Sequence, residues 1–301
     1  MLQNYKIFRN FDYVEVTFRS EMLKFIWHFA HLFVTLTASK LLPFENTQIN
    51  LVFYSLIRNF ANVKWKIVHI DETDSTNRWL QKCSAADDAN MVVWADYQTA
   101  GRGCGTNTWE SERGKNLTFS MLIHPKEVAA TQQFHISMAI SLAICEALGE
   151  YIGDVSIKWP NDIYWRNGKI GGILIEHTLK GSMIKESIIG VGLNVNQRVF
   201  KSDAPNPVSI WQICEHETDR EQLLQEILEA FDKYMKPSTL PCLREEYLAK
   251  LYRRQGYHPY ADKDGAFMAE IVTVEDDGHL VLCDEDGKER RYAFKEITFI
   301  I

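Results

Sequence analysis

From Val63 to the C-terminus, short β-branched runs alternate with stretches of helical apolar spacing, and that alternation restricts the chain to a mixed architecture of helices and sheet. Met91 to Ala95 reads as a buried strand, and Ser187 to Val195 as another. Thr131 to Leu148 carries apolar residues at Phe134, Met138, Ile140, Ile144, Ala147 and Leu148, the spacing of a helix with one face in a core. Ile163 to Trp165 and Ile170 to Ile175 flank Asn167-Gly168, a pair that supplies the positive φ angles of a tight hairpin. Helices are expected near Arg220 to Tyr234 and Leu243 to Arg253. The tail then changes period. Ala269 to Val274, Leu280 to Cys283 and Arg290 to Phe294 alternate as strands around the turns Asp277-Gly278 and Asp286-Gly287. The expected fold class is α+β, a mixed-sheet domain over 63–250 followed by a small C-terminal antiparallel β barrel over 251–301.

Residues 1–62 differ from the rest, being rich in Phe, Leu and Ile and devoid of Gly. Their apolar run Met22 to Leu36 is interrupted by Lys24, His28 and His31 and is shorter than the roughly 20 apolar residues of a membrane span. An amphipathic packing helix, or an extension from an upstream start codon, fits better than an anchor or a secretory signal. The segment shows neither a glycine-containing turn between two short helices nor a dense basic helix, so no DNA-binding domain is expected. A formal charge of −7 points the same way, because duplex binding draws on cationic side chains that displace counterions. The six cysteines (Cys83, Cys104, Cys145, Cys214, Cys242 and Cys283) form no C-x-x-C pair, which predicts reduced thiols in a cytoplasm and no structural metal.

Two segments carry the chemistry. Gly101-Arg102-Gly103-Cys104-Gly105 combines closely spaced glycines, whose N–H groups can approach an anion, with a planar guanidinium fork. Lys158-Trp159-Pro160-Asn161-Asp162 places a lysine at a strand end before a rigid polar turn. Such parts suit activation of a carboxylic acid with ATP. Neither the dinucleotide G-x-G-x-x-G pattern nor the Gly-Lys-Ser/Thr ending of a triphosphate loop is present. Lys169 to Glu176 adds the paired glycines Gly171 and Gly172 inside an apolar strand, which they weaken unless a bulge forms there or something must come close. Asp74-Ser75-Thr76-Asn77 before Trp79-Leu80 reads as a helix start, with a side-chain oxygen capping free backbone donors.

Taken together and in this order, these segments resemble the biotin protein ligases, also called biotin–[acetyl-CoA-carboxylase] ligases. The likeness runs through Asp74 to Asn77, Gln98 before Gly101-Arg102-Gly103, Trp109-Glu110-Ser111 with Gly114 and Asn116-Leu117, Lys158 to Asp162, Lys169 to Glu176, and Gly190 to Asn196. The resemblance implies two steps: biotin and MgATP give biotinyl-AMP and pyrophosphate, and a lysine of a biotin carboxyl carrier protein then displaces AMP. It also implies roles. Ser75, Thr76, Asn77 and Gln98 would hold the biotin head group. Gly101, Arg102 and Gly103 would line the carboxylate and phosphate, with Trp109, Gly171 and Gly172 completing the biotin site. Lys158 and Arg102 would be catalytic, Arg102, Trp109, Lys158, Asn161 and Asn194 would contact the nucleotide, and Asn161 or Asp162 would organise magnesium or brace Lys158. A lipoate protein ligase, related in chemistry and fold, is the alternative.

One stretch departs from the family pattern. After Gly103 the family commonly carries long polar side chains, whereas this chain has Cys104, Gly105 and Thr106. Fewer donors in the loop predict easier escape of the activated intermediate.

Overall fold

In the computed structural model the described residues are 65–83, 90–125, 128–201 and 205–301. Residues 1–62, with the Met22 to Leu36 run and the expectations attached to it, lie outside them. Among the described residues no helix is long and apolar enough to cross a membrane.

A seven-stranded mixed sheet precedes the tail, in the order β1-β2-β3-β7-β6-β5-β4. Its strands are β1 (Lys66–Thr73), β2 (Met91–Gln98), β3 (Leu117–Ile123), β4 (Val155–Lys158), β5 (Asp162–Trp165), β6 (Gly168–Lys180) and β7 (Met183–Leu193). Only β1 and β2 run parallel; the crossover between them contains helix α1 (Thr76–Cys83). Helix α2 (Phe134–Gly149) lies where the apolar period predicts it and packs on β4 and on helices α4 (Arg220–Tyr234) and α5 (Leu240–Ala249). A short helix, α3 (Ile210–Cys214), begins at a capping box built by Ser209 and Gln212.

Side-chain alternation divides the sheet into two faces. Leu117, Phe119 and Met121 of β3 and Ile189, Val191 and Leu193 of β7 join the main core with α2 and α4. On the opposite face Met91, Val93, Leu122 and Ile188 form a smaller cluster under Leu80 of α1. Burying both faces explains why the start of β2, Met91 to Ala95, reads as a continuous apolar run. Helix α1 covers only part of its face, and the uncovered remainder carries Gly172, Gly190 and Gly192. These become the floor of the site.

The tail folds as a five-stranded antiparallel sheet, β11-β10-β9-β8-β12, comprising β8 (His258–Asp262), β9 (Gly265–Val274), β10 (Leu280–Asp284), β11 (Glu289–Tyr292) and β12 (Thr298–Phe299). The glycines of both predicted turns take positive φ, 92° at Gly278 and 77° at Gly287. The expected barrel is corrected to an open sheet: edge strands β11 and β12 are short and do not pair with each other. The segment leading into this sheet holds to β4 by backbone bonds, and the sheet's own Gly278 turn is held by a side chain. Ile157 N–H donates to Lys250 O and Tyr252 N–H to Ile157 O, both at 2.8 Å, and Trp159 Nε1 donates to Gly278 O at 2.9 Å.

At the β5–β6 hairpin Trp165 pairs with Gly168, so the loop residues are Arg166 and Asn167, and Arg166 takes the positive φ (50°) that the sequence assigns to Asn167-Gly168. Gly168 is needed for space instead, since a Cβ there would stand 2.7 Å from Val208 Cγ1.

Candidate active site

A cavity of about 1000 Å³ opens on the glycine-bearing face of the sheet, within the size range of small-molecule sites. Arg102 and Lys158 both line it, although they come from distant segments.

One end of the floor is polar. The first N–H of α1, on Thr76, donates to Gln98 Oε1 at 2.8 Å, and Thr76 Oγ1 to the same oxygen at 3.1 Å. Gln98, from the neighbouring strand, thus caps a helix donor that the sequence assigns to a local side chain. Asp74 serves the preceding turn: its Oδ1 accepts from Ser75 N, and that bond holds its carboxyl below the usual range. Fully buried Ser120 places Oγ 2.7 Å from Thr76 Oγ1 and 2.6 Å from Asn77 Oδ1. Asn77 Nδ2 donates to Glu176 Oε2 at 2.8 Å. Gly190 makes this network possible, because a Cβ there would collide with the Asn77 amide.

The segment after Gln98 folds into a small hairpin. Trp109 N–H donates to Gly101 O at 3.1 Å, Gly103 N–H to Asn107 O at 2.8 Å, and Arg102 pairs across with Thr108. Gly105 turns the tip with φ 70°. The hairpin lays the Trp109 indole over Gly192 and Gly172, which are register partners on β7 and β6. Gly172 therefore lines the cavity, and what comes close to it is Trp109. Gly171 is corrected to the opposite face, where strand alternation packs it against Leu193. Gly101 stands at the base of the hairpin beneath the Trp109 carbonyl, outside the cavity wall; Ser75 and Gly103 belong to the wall.

Arg102 Nη1 lies 3.3 Å from Glu176 Oε1, so one carboxylate restrains both Arg102 and Asn77. Lys169 pairs with Asp162 at 2.6 Å. No carboxylate among the described residues lies within ion-pairing range of Lys158; its ammonium faces Phe299 at 4.9 Å and Tyr164 at 5.4 Å from the ring centroids. Burial pushes the Lys158 ammonium below the usual lysine range; Lys169 and Arg253 add to the shift, and Asp162 opposes it. Bringing an anion into the cavity would favour its charged form.

Asn161 braces the turn after Lys158. Its Nδ2 donates to Ile173 O at 2.7 Å and lies 3.1 Å from Cys104 Sγ. Burial, then Asp162, raises the Cys104 thiol, which keeps it protonated and weakly nucleophilic. Asn194 also lines the cavity, with Nδ2 directed at Val208 O (3.1 Å).

Several contributors are absent from the sequence reading. Ser120 is one; it and Thr118 are the two hydroxyls in the buried strand β3. Glu176 has a role as shared carboxylate that spacing does not reveal. The C-terminal sheet supplies Phe294, Lys295 and Phe299 to the rim, a contribution that depends on how two sheets meet.

The sequence profile of the Biotin/lipoate A/B protein ligase family matches residues 69–194, the stretch that holds Ser75 to Asn77, Arg102, Lys158 and Asn194. A biotin–[acetyl-CoA-carboxylase] ligase of Paracoccus denitrificans is 28% identical over 231 residues, covering 72% of this chain and 94% of that protein. A bifunctional ligase/repressor of Bacillus subtilis is 28% identical over 241 residues, covering 75% and 72%. The structure of the Aquifex aeolicus biotin protein ligase in complex with biotin and ATP superposes with a TM-score of 0.64 at 25% identity, covering 77% of this chain and 97% of that one. In sequence motifs and in fold the chain is similar to the biotin protein ligases.

Proposed function

We propose that this chain activates biotin with ATP and transfers it to a lysine of a biotin-accepting carboxylase subunit. The observation that carries this reading is the single cavity shared by Arg102 and Lys158, with a polar floor at one end and room for an acyl-adenylate beyond it. In the first step a carboxylate oxygen of biotin attacks the α-phosphorus of ATP and pyrophosphate leaves. In the second the acceptor amine attacks the acyl carbon, the C–O bond to AMP breaks and the amine loses a proton. Both steps develop anionic charge on oxygen, which fixed cations in a partly dry site stabilise.

Roles are assigned on that basis. Thr76, Gln98, Ser120 and Asn77 form the head-group end, with Ser75 beside them. Trp109 over Gly172 and Gly192 is a wall against the bicyclic or adenine ring. Arg102 and Lys158 face the anhydride, and Asn194 lies toward the nucleotide. Magnesium would ride chiefly on the ATP phosphates, as this small hard ion usually does; Asp162 is the carboxylate positioned to share it and Asn161 the brace. The catalytic role falls to 63–250, with 251–301 closing the cavity rim. The cysteines, free among the described residues, suit a reducing cytoplasm.

ATP–pyrophosphate exchange dependent on biotin and not on lipoate, followed by mass addition to a carrier domain, tests the assignment. Exchange stimulated by lipoate alone would transfer the chain to the other branch of the family.

A further inference from the structure

Lys295 lies between β11 and β12, on the rim of the cavity, with φ 72°. A residue bearing a Cβ enters that left-handed region at a cost that glycine would avoid. Its ammonium rests against Gly105 at the tip of the Gly101–Trp109 hairpin: a Cβ on Gly105 would collide with Nζ and stand 3.5 Å from Cε. A side chain at position 105 and the present placement of Lys295 therefore exclude each other. Gly105 is itself at φ 70°, so both its conformation and its space suit glycine.

The cations around the cavity fall into two groups. Arg102 is paired with Glu176 and Lys169 with Asp162. Lys158 and Lys295 have no carboxylate within ion-pairing range among the described residues; besides Gly105, Lys295 lies near the ring of Phe294, at 5.6 Å. Two uncompensated ammonium groups, one on β4 and one from the C-terminal sheet, thus border the same cavity. Such a pair matches a ligand with anionic groups spaced along its length, and among the reactants assigned above only the polyphosphate of ATP and its pyrophosphate product have that form.

We infer that Lys295 binds the polyphosphate tail of ATP, reaching across the side-chain-free tip at Gly105, so that the C-terminal sheet completes the nucleotide site. This rests on the ATP-dependent ligase reading. It also gives the strained backbone at 295 a purpose, since a substitution that relieves the strain would remove the cation.

The test uses the full chain with Lys295→Gly and Lys295→Arg, read by calorimetry with inorganic pyrophosphate and with biotin, by the KM for ATP in exchange, and by thermal unfolding. In Lys295→Gly, pyrophosphate binding weakens and the KM for ATP rises, each about fivefold to tenfold. Biotin affinity stays within twofold and the unfolding temperature does not fall. Lys295→Arg retains pyrophosphate affinity within about threefold of the parent. Pyrophosphate affinity and KM for ATP both within twofold of the parent in Lys295→Gly would overturn the inference, as would an equal loss of biotin affinity. If the parent chain fails to exchange with biotin while its pyrophosphate affinity still depends on Lys295, the ligase reading falls and the anion site stands.

Discussion

Replacing Gly192 with alanine puts a methyl group where the Trp109 indole lies. The added Cβ would stand 2.6 Å from Nε1 and 2.8 Å from Cζ2, and closer still to Cε2. Carbon contacts settle near 3.5–4.0 Å, so the ring must lift by roughly 1 Å. Overpacking of this kind costs about 1–3 kcal/mol. For a domain of this size ~2 kcal/mol lowers Tm by roughly 4–8 °C. The lifted ring also enters the space assigned to ligand, where a loss of about 1.4 kcal/mol is tenfold in Kd. Gly172→Ala is the internal control. Its Cβ would meet Trp109 Cζ3 at 3.5 Å, an ordinary contact, so little change in Tm is expected. Differential scanning calorimetry of the two variants, with biotin titrations of each, checks both effects. Equal Tm and equal affinity for the two would refute the placement of Trp109 across β6 and β7.

Three further outcomes follow from the site. Ser120→Ala removes the hydroxyl between Thr76 and Asn77 and should weaken biotin binding about tenfold, the scale of a buried hydrogen bond, with the KM for ATP nearly unchanged; steady-state kinetics on both substrates would show it. Because burial lowers the Lys158 pKa below the ordinary 10.5, the unfolded chain binds more protons than the native one between the lowered value and 10.5. Lys158 therefore makes ligand-free stability rise with pH across that window, while ATP binding weakens as the cation is lost; urea melts and ATP titrations over an alkaline series would show opposite slopes. Cys104, raised by burial, should react with iodoacetamide at pH 7.5 more slowly than exposed Cys242, and mass mapping of the alkylated sites checks the order.

The parts of the fold written in local patterns were legible in the sequence. The α2 period, the β2 apolar run and the Asp-Gly turns of the tail each arise from neighbours in the chain, and the structure has them within a few residues. What escaped the sequence depends on packing between distant segments. Gly171 and Gly172 look alike in sequence, yet alternation sends one into the core and the other to the cavity. Strand β8 was missed because Pro259 and polar ends interrupt its pattern. The Arg102–Glu176 pair and the arrival of Lys295 at Gly105 require knowing which loops meet. In the same way the motif residues Arg102 and Lys158 were identifiable by type, but their shared cavity is a product of the sheet order.

The central claim is that Arg102 and Lys158 act on one anion. A double-mutant cycle on biotinyl-AMP formation, with Arg102→Ala, Lys158→Ala and both together under single-turnover conditions, tests it most directly. Convergence predicts that either single loss removes most of the stabilisation, so the double variant is slower than the worse single variant by far less than the product of the two effects, a coupling above about 0.5 kcal/mol. Losses that multiply within error, or a Lys158→Ala variant that forms the adenylate at the parent rate, would contradict it.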